Sequence, residues 1–177
     1  MPYGTVDIKY GLWYKIGMEK KELRELYFDI LAAIYDTTEI ELTEVELGKE
    51  NDIQFNYRER DYYWLYVDEK DTKTAELCTH YPADFKDTDE ELKALRLFNR
   101  INKKFKMVKM FHDEETGDVT ARVDLFVTGI QPANNGFVFN YKEQFIENLL
   151  LALSALWEAT EYFFEEMGWR NYDKFNK

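Results

Sequence analysis

Cysteine is almost absent from this 177-residue chain: Cys78 stands alone, so no intramolecular disulfide can form. Three prolines (Pro2, Pro82, Pro132) and eight glycines are too few to build a flexible linker or a low-complexity segment, and no internal repeat is visible. Histidine occurs twice, at His80 and His112, which leaves any zinc site short of its usual nitrogen and sulfur ligands. No apolar run approaches the roughly 20 residues that cross a bilayer. The N-terminus, MPYGTVDIKYGLWYKIG, lacks the basic-then-apolar order and small-residue cleavage pattern of a signal peptide, so a cytoplasmic compartment is expected. Positive charge is scarce as well. With 23 Lys and Arg against 35 Asp and Glu, the formal charge is −12. Such a surface repels phosphate backbones and anionic headgroups, so neither nucleic acid nor a membrane is expected as a partner, whereas a basic protein segment is.

Catalytic signatures are missing too. There is no G-x-G-x-x-G, G-x-x-x-x-G-K, G-x-S-x-G, H-E-x-x-H or EF-hand loop. Carboxylates are so frequent that paired acids can be found in any window, and the runs DEKD, DTDEE and DEE read as solvated faces. No catalytic residue, metal ligand or cofactor site is therefore assigned, and the chain is expected not to be an enzyme.

What the chain does have is aromatic mass: 13 Tyr, 13 Phe and 4 Trp, which excludes disorder and supports one well-filled core. Residues 1–18 carry Tyr3, Tyr10, Trp13 and Tyr14 and read as an N-terminal extension that packs through its aromatics. Residues 19–177 read as a single domain. EKKELRELYFDILAAIYD, at 19–36, is a helix, with Leu23, Leu26, Tyr27, Ile30, Leu31 and Ile34 on one face. The period then drops to two. Ile40 and Leu42 give way to Val45 and Leu47 in the opposite phase, which predicts a bulge. DIQFNY and DYYWLYVDE follow as strands, the second apolar on both faces and therefore central, with Tyr62, Trp64 and Tyr66 on one side. TAELCTHY, at 74–81, is a weaker strand. A T-x-x-E capping box at Thr88 and Glu91 opens a helix whose stripe reads Leu92, Leu95, Phe98, Ile101 or Asn102, and Phe105. MVKMFHD and DVTARVDLFVT then form a hairpin around EETGD.

The last helix, about Tyr141 to Met167, carries Ile146, Leu149, Leu153, Leu156, Thr160, Phe163 and Met167, a stripe widened by Leu150, Trp157 and Phe164. It should run about 40 Å, against about 17 to 20 Å for a typical strand. An overhang with spare apolar surface is expected.

Three features invite a chemical reading. Cys78 and His80 share a strand face and could ligate a metal or pair as nucleophile and base, but two such residues in one strand are better read as a half-buried pair. NRINKKFKMVK packs five cations into eleven residues; a charged helix end accounts for it. The aromatic strand is either core on both faces or a platform for a partner.

The run from Leu97 to Phe126, with L-F-N-x-x-N, KKFK, an acidic Gly turn and V-x-x-R-V-D-L, resembles the YbjN family of bacterial regulators. So do IQFNYRERDYYWLYVDE, TAELCTHYPADF and a last helix ending F-F-x-x-M, over about residues 20 to 168. The N-terminal extension and the length of the last helix depart from the pattern. The resemblance implies a fold similar to type III secretion chaperones: α+β, a twisted antiparallel sheet with helices on one face and a long C-terminal helix. It also implies a non-catalytic protein-binding module, chaperone-like or regulatory, acting as a homodimer, with Asn99 and Asn102 as helix-to-strand hydrogen bonders. The exposed apolar residues expected to meet the partner are Tyr62, Trp64, Tyr66, Trp157 and Phe164. The competing reading is a helix-grip domain that encloses a small molecule or lipid in an aromatic-lined pocket.

Overall fold

In a computed structural model of the chain, the described residues are 23–35, 42–47, 52–58, 61–68, 71–83, 85–133 and 136–169. The aromatic extension at 1–18, the first turn read into the opening helix and the tail from 170 onward lie outside them. The elements are α1 (Leu23–Tyr35), β1 (Leu42–Leu47), β2 (Asp52–Tyr57), β3 (Asp61–Asp68), β4 (Asp71–Pro82), α2 (Thr88–Lys104), β5 (Lys109–His112), β6 (Asp118–Phe126), β7 (Ile130–Ala133), β8 (Gly136–Phe139) and α3 (Lys142–Met167).

Six strands form one sheet in the order β1-β2-β3-β4-β6-β5, each neighbouring pair antiparallel. This is the α+β architecture the sequence pattern implies. The phase change before Val45 is a register shift between Thr43 and Glu46 of β1. The EETGD hairpin closes with Gly117 N–H donating to Asp113 O at 2.8 Å. Gly117 sits at φ 76°, where a side chain is strained, which explains glycine there.

Alternation then decides which face becomes core. Phe55, Tyr63, Leu77 and Val123 are all at most 1% exposed and point the same way from four strands. Tyr81 of that face meets the Phe164 ring of α3 at 4.8 Å, so this is the helix side. Tyr27 of α1 meets Phe145 of α3 at 5.0 Å, and α2 packs on α3, so the three described helices share one layer.

Three expectations shift. The helix cap of α2 is Asp87, one residue before Thr88: its carboxylate accepts from Glu90 N–H at 2.9 Å, while Glu90 reaches back to Lys86 N–H at 2.7 Å. The stripe of α2 is Ala94, Leu97, Phe98 and Ile101, leaving Leu92 and Leu95 44% and 43% exposed, because α2 presents to β5 and α3 the face one step further round. The overhang of α3 is not observed: burial runs from Phe145 to Met167. The helix finds partners from several elements along its length: Tyr27 of α1 against Phe145, Tyr81 of β4 against Phe164 and Phe98 of α2 against Phe163. The β7–β8 pair, around Pro132 and Gly136, has no alternation long enough to read in the sequence.

Candidate functional site

The sheet face turned away from the helices is built by the same alternation in its opposite phase. Register places Gln54, Trp64, Cys78, Arg122 and Lys109 in one row across five strands. A neighbouring row holds Asp52, Tyr66, Glu76 and Asp124. Tyr62 pairs with Asn56 in the same phase. Among the described residues no helix covers this face.

Its centre is polar and closely packed. Cys78 Sγ lies 3.2 Å from His80 Nε2, and His80 Nδ1 lies 2.9 Å from Thr120 Oγ1. The Trp64 ring leans on His80 at 5.1 Å. The sequence placed Cys78 and His80 on one face; the third member, Thr120, comes from the pairing of β4 with β6. A thiol, an imidazole and an orienting hydroxyl form the outline of a nucleophilic triad. The electrostatics oppose it. Burial, reinforced by Glu76, pushes the Cys78 thiol well above its ordinary range, and burial holds the His80 imidazole down despite Asp118, Asp113 and Glu76. A neutral thiol beside a neutral imidazole is a packed pair, not an activated nucleophile. Among the described residues no three His, Cys, Asp or Glu side chains gather as a metal would require.

Around that centre the charges are paired. Arg122 donates to Glu76 at 3.1 Å, Lys109 to Asp124 at 2.6 Å, and the Arg122 guanidinium lies 5.6 Å from the Phe111 ring centroid. Asn56, 7% exposed, has a buried Oδ1 with no hydrogen-bond donor. Exposed apolar surface on this face is confined to a few side chains. Trp64 is half-buried, Tyr66 is 37% exposed and Phe126 is 78% exposed. Phe126 was not singled out from the sequence; its signal is an aromatic in the polar phase of β6, after Thr120, Arg122 and Asp124.

The five residues expected to meet a partner do not converge. Trp64 and Tyr66 lie on the sheet face turned away from the described helices, as does the register position of Tyr62, whose side chain is outside the description. Trp157 and Phe164 lie in the helix layer. Trp157 is half-buried under Arg58, whose guanidinium carbon is 4.5 Å from its ring. Phe164 is 3% exposed, held by Tyr81, Phe163 and Trp169, and so belongs to the core; its place on the buried side of α3 removes it from any contact surface. Asn102 does bridge helix and strand: its Oδ1 accepts from Met110 N–H at 2.8 Å and its Nδ2 donates to Met110 O at 3.1 Å. Asn99 is exposed on the outer side of α2.

No curated protein matches the chain. Two solved structures resemble it. One is described as "Crystal structure of YbjN, a putative transcription regulator from E. coli"; it shares 12% identity with a TM-score of 0.50, and the match covers 82% of this chain and 96% of that one. The other is an uncharacterized protein from Methanothermobacter thermautotrophicus, at 13% identity and TM-score 0.44, covering 79% and 98% respectively. At such identities the first likeness speaks to the fold alone. The model of the YbjN family, "Putative bacterial sensory transduction regulator", matches residues 28–141, from α1 through the whole sheet to the threshold of α3. By that match, over well more than half of its length, the chain belongs to the YbjN family.

Proposed function

We propose that this chain is a non-catalytic regulatory module of the cytoplasm that holds a protein partner, chaperone-like, against the open face of its sheet, and that it works as a homodimer. The observation behind this reading is the group Trp64, Tyr66 and Phe126, three large aromatics on the one sheet face that the described helices leave uncovered. Aromatic side chains with one face packed and one face wet are typical anchors of protein interfaces. The ion pairs Lys109–Asp124 and Arg122–Glu76 beside them give a polar rim.

The sheet edges favour face over edge. At β5, Asn102 occupies both hydrogen-bonding groups of Met110 on the side away from β6, and at β1 the register shift interrupts the strand. Both devices oppose addition of a partner strand. An aromatic-lined pocket has less support. The aromatics of the helix layer pack on each other, Phe98 on Phe163 at 5.4 Å and Phe163 on Trp169 at 5.6 Å.

A photo-crosslinking residue at Tyr66 or Phe126, expressed in cells, tests the reading, with Leu151 (62% exposed on α3) as the control position. Discrete protein adducts are expected from the two sheet positions, those from the Phe126 position being lost when Tyr66→Asp is added, with a dimer mass by light scattering. Equal adducts from Leu151, or none from either sheet position, would overturn it.

A further inference from the structure

The charge of the molecule is not spread evenly. Residues 92–109 contain Lys93, Arg96, Arg100, Lys103, Lys104, Lys106 and Lys109 and no carboxylate, a local charge of +7. The remaining residues therefore carry −12 − 7 = −19. All seven cations are exposed.

Helical geometry gathers them. At 100° per residue, Arg96, Lys103, Arg100, Lys93 and Lys104 fall within a stripe about 100° wide on the outer side of α2. The buried side, Ala94, Leu97, Phe98 and Ile101, begins next to it and is centred about 120° further round. Exposed apolar residues adjoin the stripe: Leu92 and Leu95 at its start, and Met107, 49% exposed, beyond its end. Next to it an open groove of about 430 Å³ lies between α2 and α3, lined by Leu92, Lys93, Arg96, Leu97 and Arg100 together with the carboxylates Asp89 and Glu166.

The helix dipole explains cations in the last turn, Lys103 and Lys104. It explains neither Arg96 at mid-helix nor two leucines left in water. Some of the cations are neutralised within the chain. Arg100 pairs with Glu166 at 3.1 Å, Lys109 pairs with Asp124, and Lys104 lies 4.0 Å from the centroid of the Tyr162 ring. Arg96, Lys103 and Lys106 make no ion pair among the described residues.

We infer that the outer face of α2 is a second docking surface, separate from the open sheet face, and that its occupant is a short acidic protein segment carrying leucine-type side chains. Charge complementarity selects an acidic partner, and Leu92, Leu95 and Met107 select one with apolar side chains. Length selects a segment. The stripe from Leu92 to Lys103 is about 17 Å long. A nucleic-acid duplex or a bilayer would extend past it and lie against a surface of charge −19, where repulsion within the roughly 8 to 10 Å screening length opposes contact. A segment of about a dozen residues fits on the stripe alone. The basic-partner expectation drawn from net charge is thus reversed at this face.

Fluorescence anisotropy with the full chain tests it. The probe is a labelled synthetic helix of about twelve residues, glutamates with leucines at i, i+4 and i+7. Comparison ligands are polyglutamate of the same length, a single-stranded oligonucleotide and phosphatidylserine vesicles. Salt-sensitive binding of the leucine-bearing helix at least tenfold tighter than polyglutamate is expected. Arg96→Glu with Lys103→Glu should weaken it at least tenfold, with an unchanged circular dichroism spectrum, and should bind the same helix with lysine in place of glutamate. Leu92→Ser with Leu95→Ser should remove the preference over polyglutamate. Binding indifferent to these changes, or tighter binding of the oligonucleotide or vesicles through the same residues, would overturn the inference.

Discussion

His80 is the residue where packing and protonation are most tightly linked. Its ring touches Cys78, Thr120 and Trp64, and burial holds its pKa below the ordinary 6.5, against the pull of Asp118, Asp113 and Glu76. Below that ordinary value the unfolded chain binds a proton that the folded chain resists. Folding stability must therefore fall as pH drops from 6.5 through the lower, folded value. Glu90, also held below its ordinary 4.5, adds to the loss only further into acid. Urea midpoints measured between about pH 7 and 5 are expected to decline, and His80→Gln, which cannot take the charge, should flatten the decline. An identical slope in the variant would place the titration elsewhere. That Cys78 and His80 share a face was legible from their spacing alone. That Thr120 completes the group was not, because nothing local in the sequence says that β6, rather than β5, lies beside β4.

Whole elements were read more easily than their surroundings. The stripe Leu149, Leu153, Leu156, Phe163 and Met167 is buried as its spacing requires, since a 3.6 period needs only one partner layer to be legible. The partner itself was misjudged. The overhang was reckoned against a single typical strand, whereas α3 is covered jointly by α1, α2, β4 and β6. The same cause moved the stripe of α2. Leu92 and Leu95 fit a helical period as well as Ala94 and Leu97 do, and only the position of β5 and α3 chooses between the two faces. Asn102 shows the converse, a single side chain whose two bonds to Met110 fix how α2 sits on the edge of the sheet. Burial of one face of α3 from Phe145 to Met167 has a direct consequence. Leu153→Ala should cost about 2 to 5 kcal/mol, whereas Leu151→Ala, at a 62% exposed position, should change stability by less than about 0.5 kcal/mol. Chemical denaturation of the two variants measures this, and similar costs would mean that α3 is not seated on β4 and β6 as described.

At the scale of the whole molecule the sheet is a boundary between two environments. One side is helix-covered and apolar; the other holds paired charges, a buried Cys78 beside a half-buried His80, and a few exposed aromatics. The sequence pattern carried this division in β6, where Val119, Ala121, Val123 and Leu125 alternate with Thr120, Arg122 and Asp124. In β3 it did not, because Tyr62, Tyr63, Trp64, Leu65 and Tyr66 are large and largely apolar in both phases, so core and contact face could not be told apart. Two adjacent residues at the end of β6 now separate them. Leu125 is 3% exposed on the helix side, and Phe126 is 78% exposed on the other. A carboxylate at 125 would be buried on the apolar, helix-covered side of the sheet, a penalty of several kcal/mol that amounts to a large share of the stability of a single domain. A carboxylate at 126 would stand in water. Leu125→Asp is expected to abolish the cooperative unfolding transition, while Phe126→Asp should fold within about 0.5 kcal/mol of the parent and stay soluble. If Phe126→Asp instead unfolds the chain, the open face is core, and the partner surface proposed there goes with it.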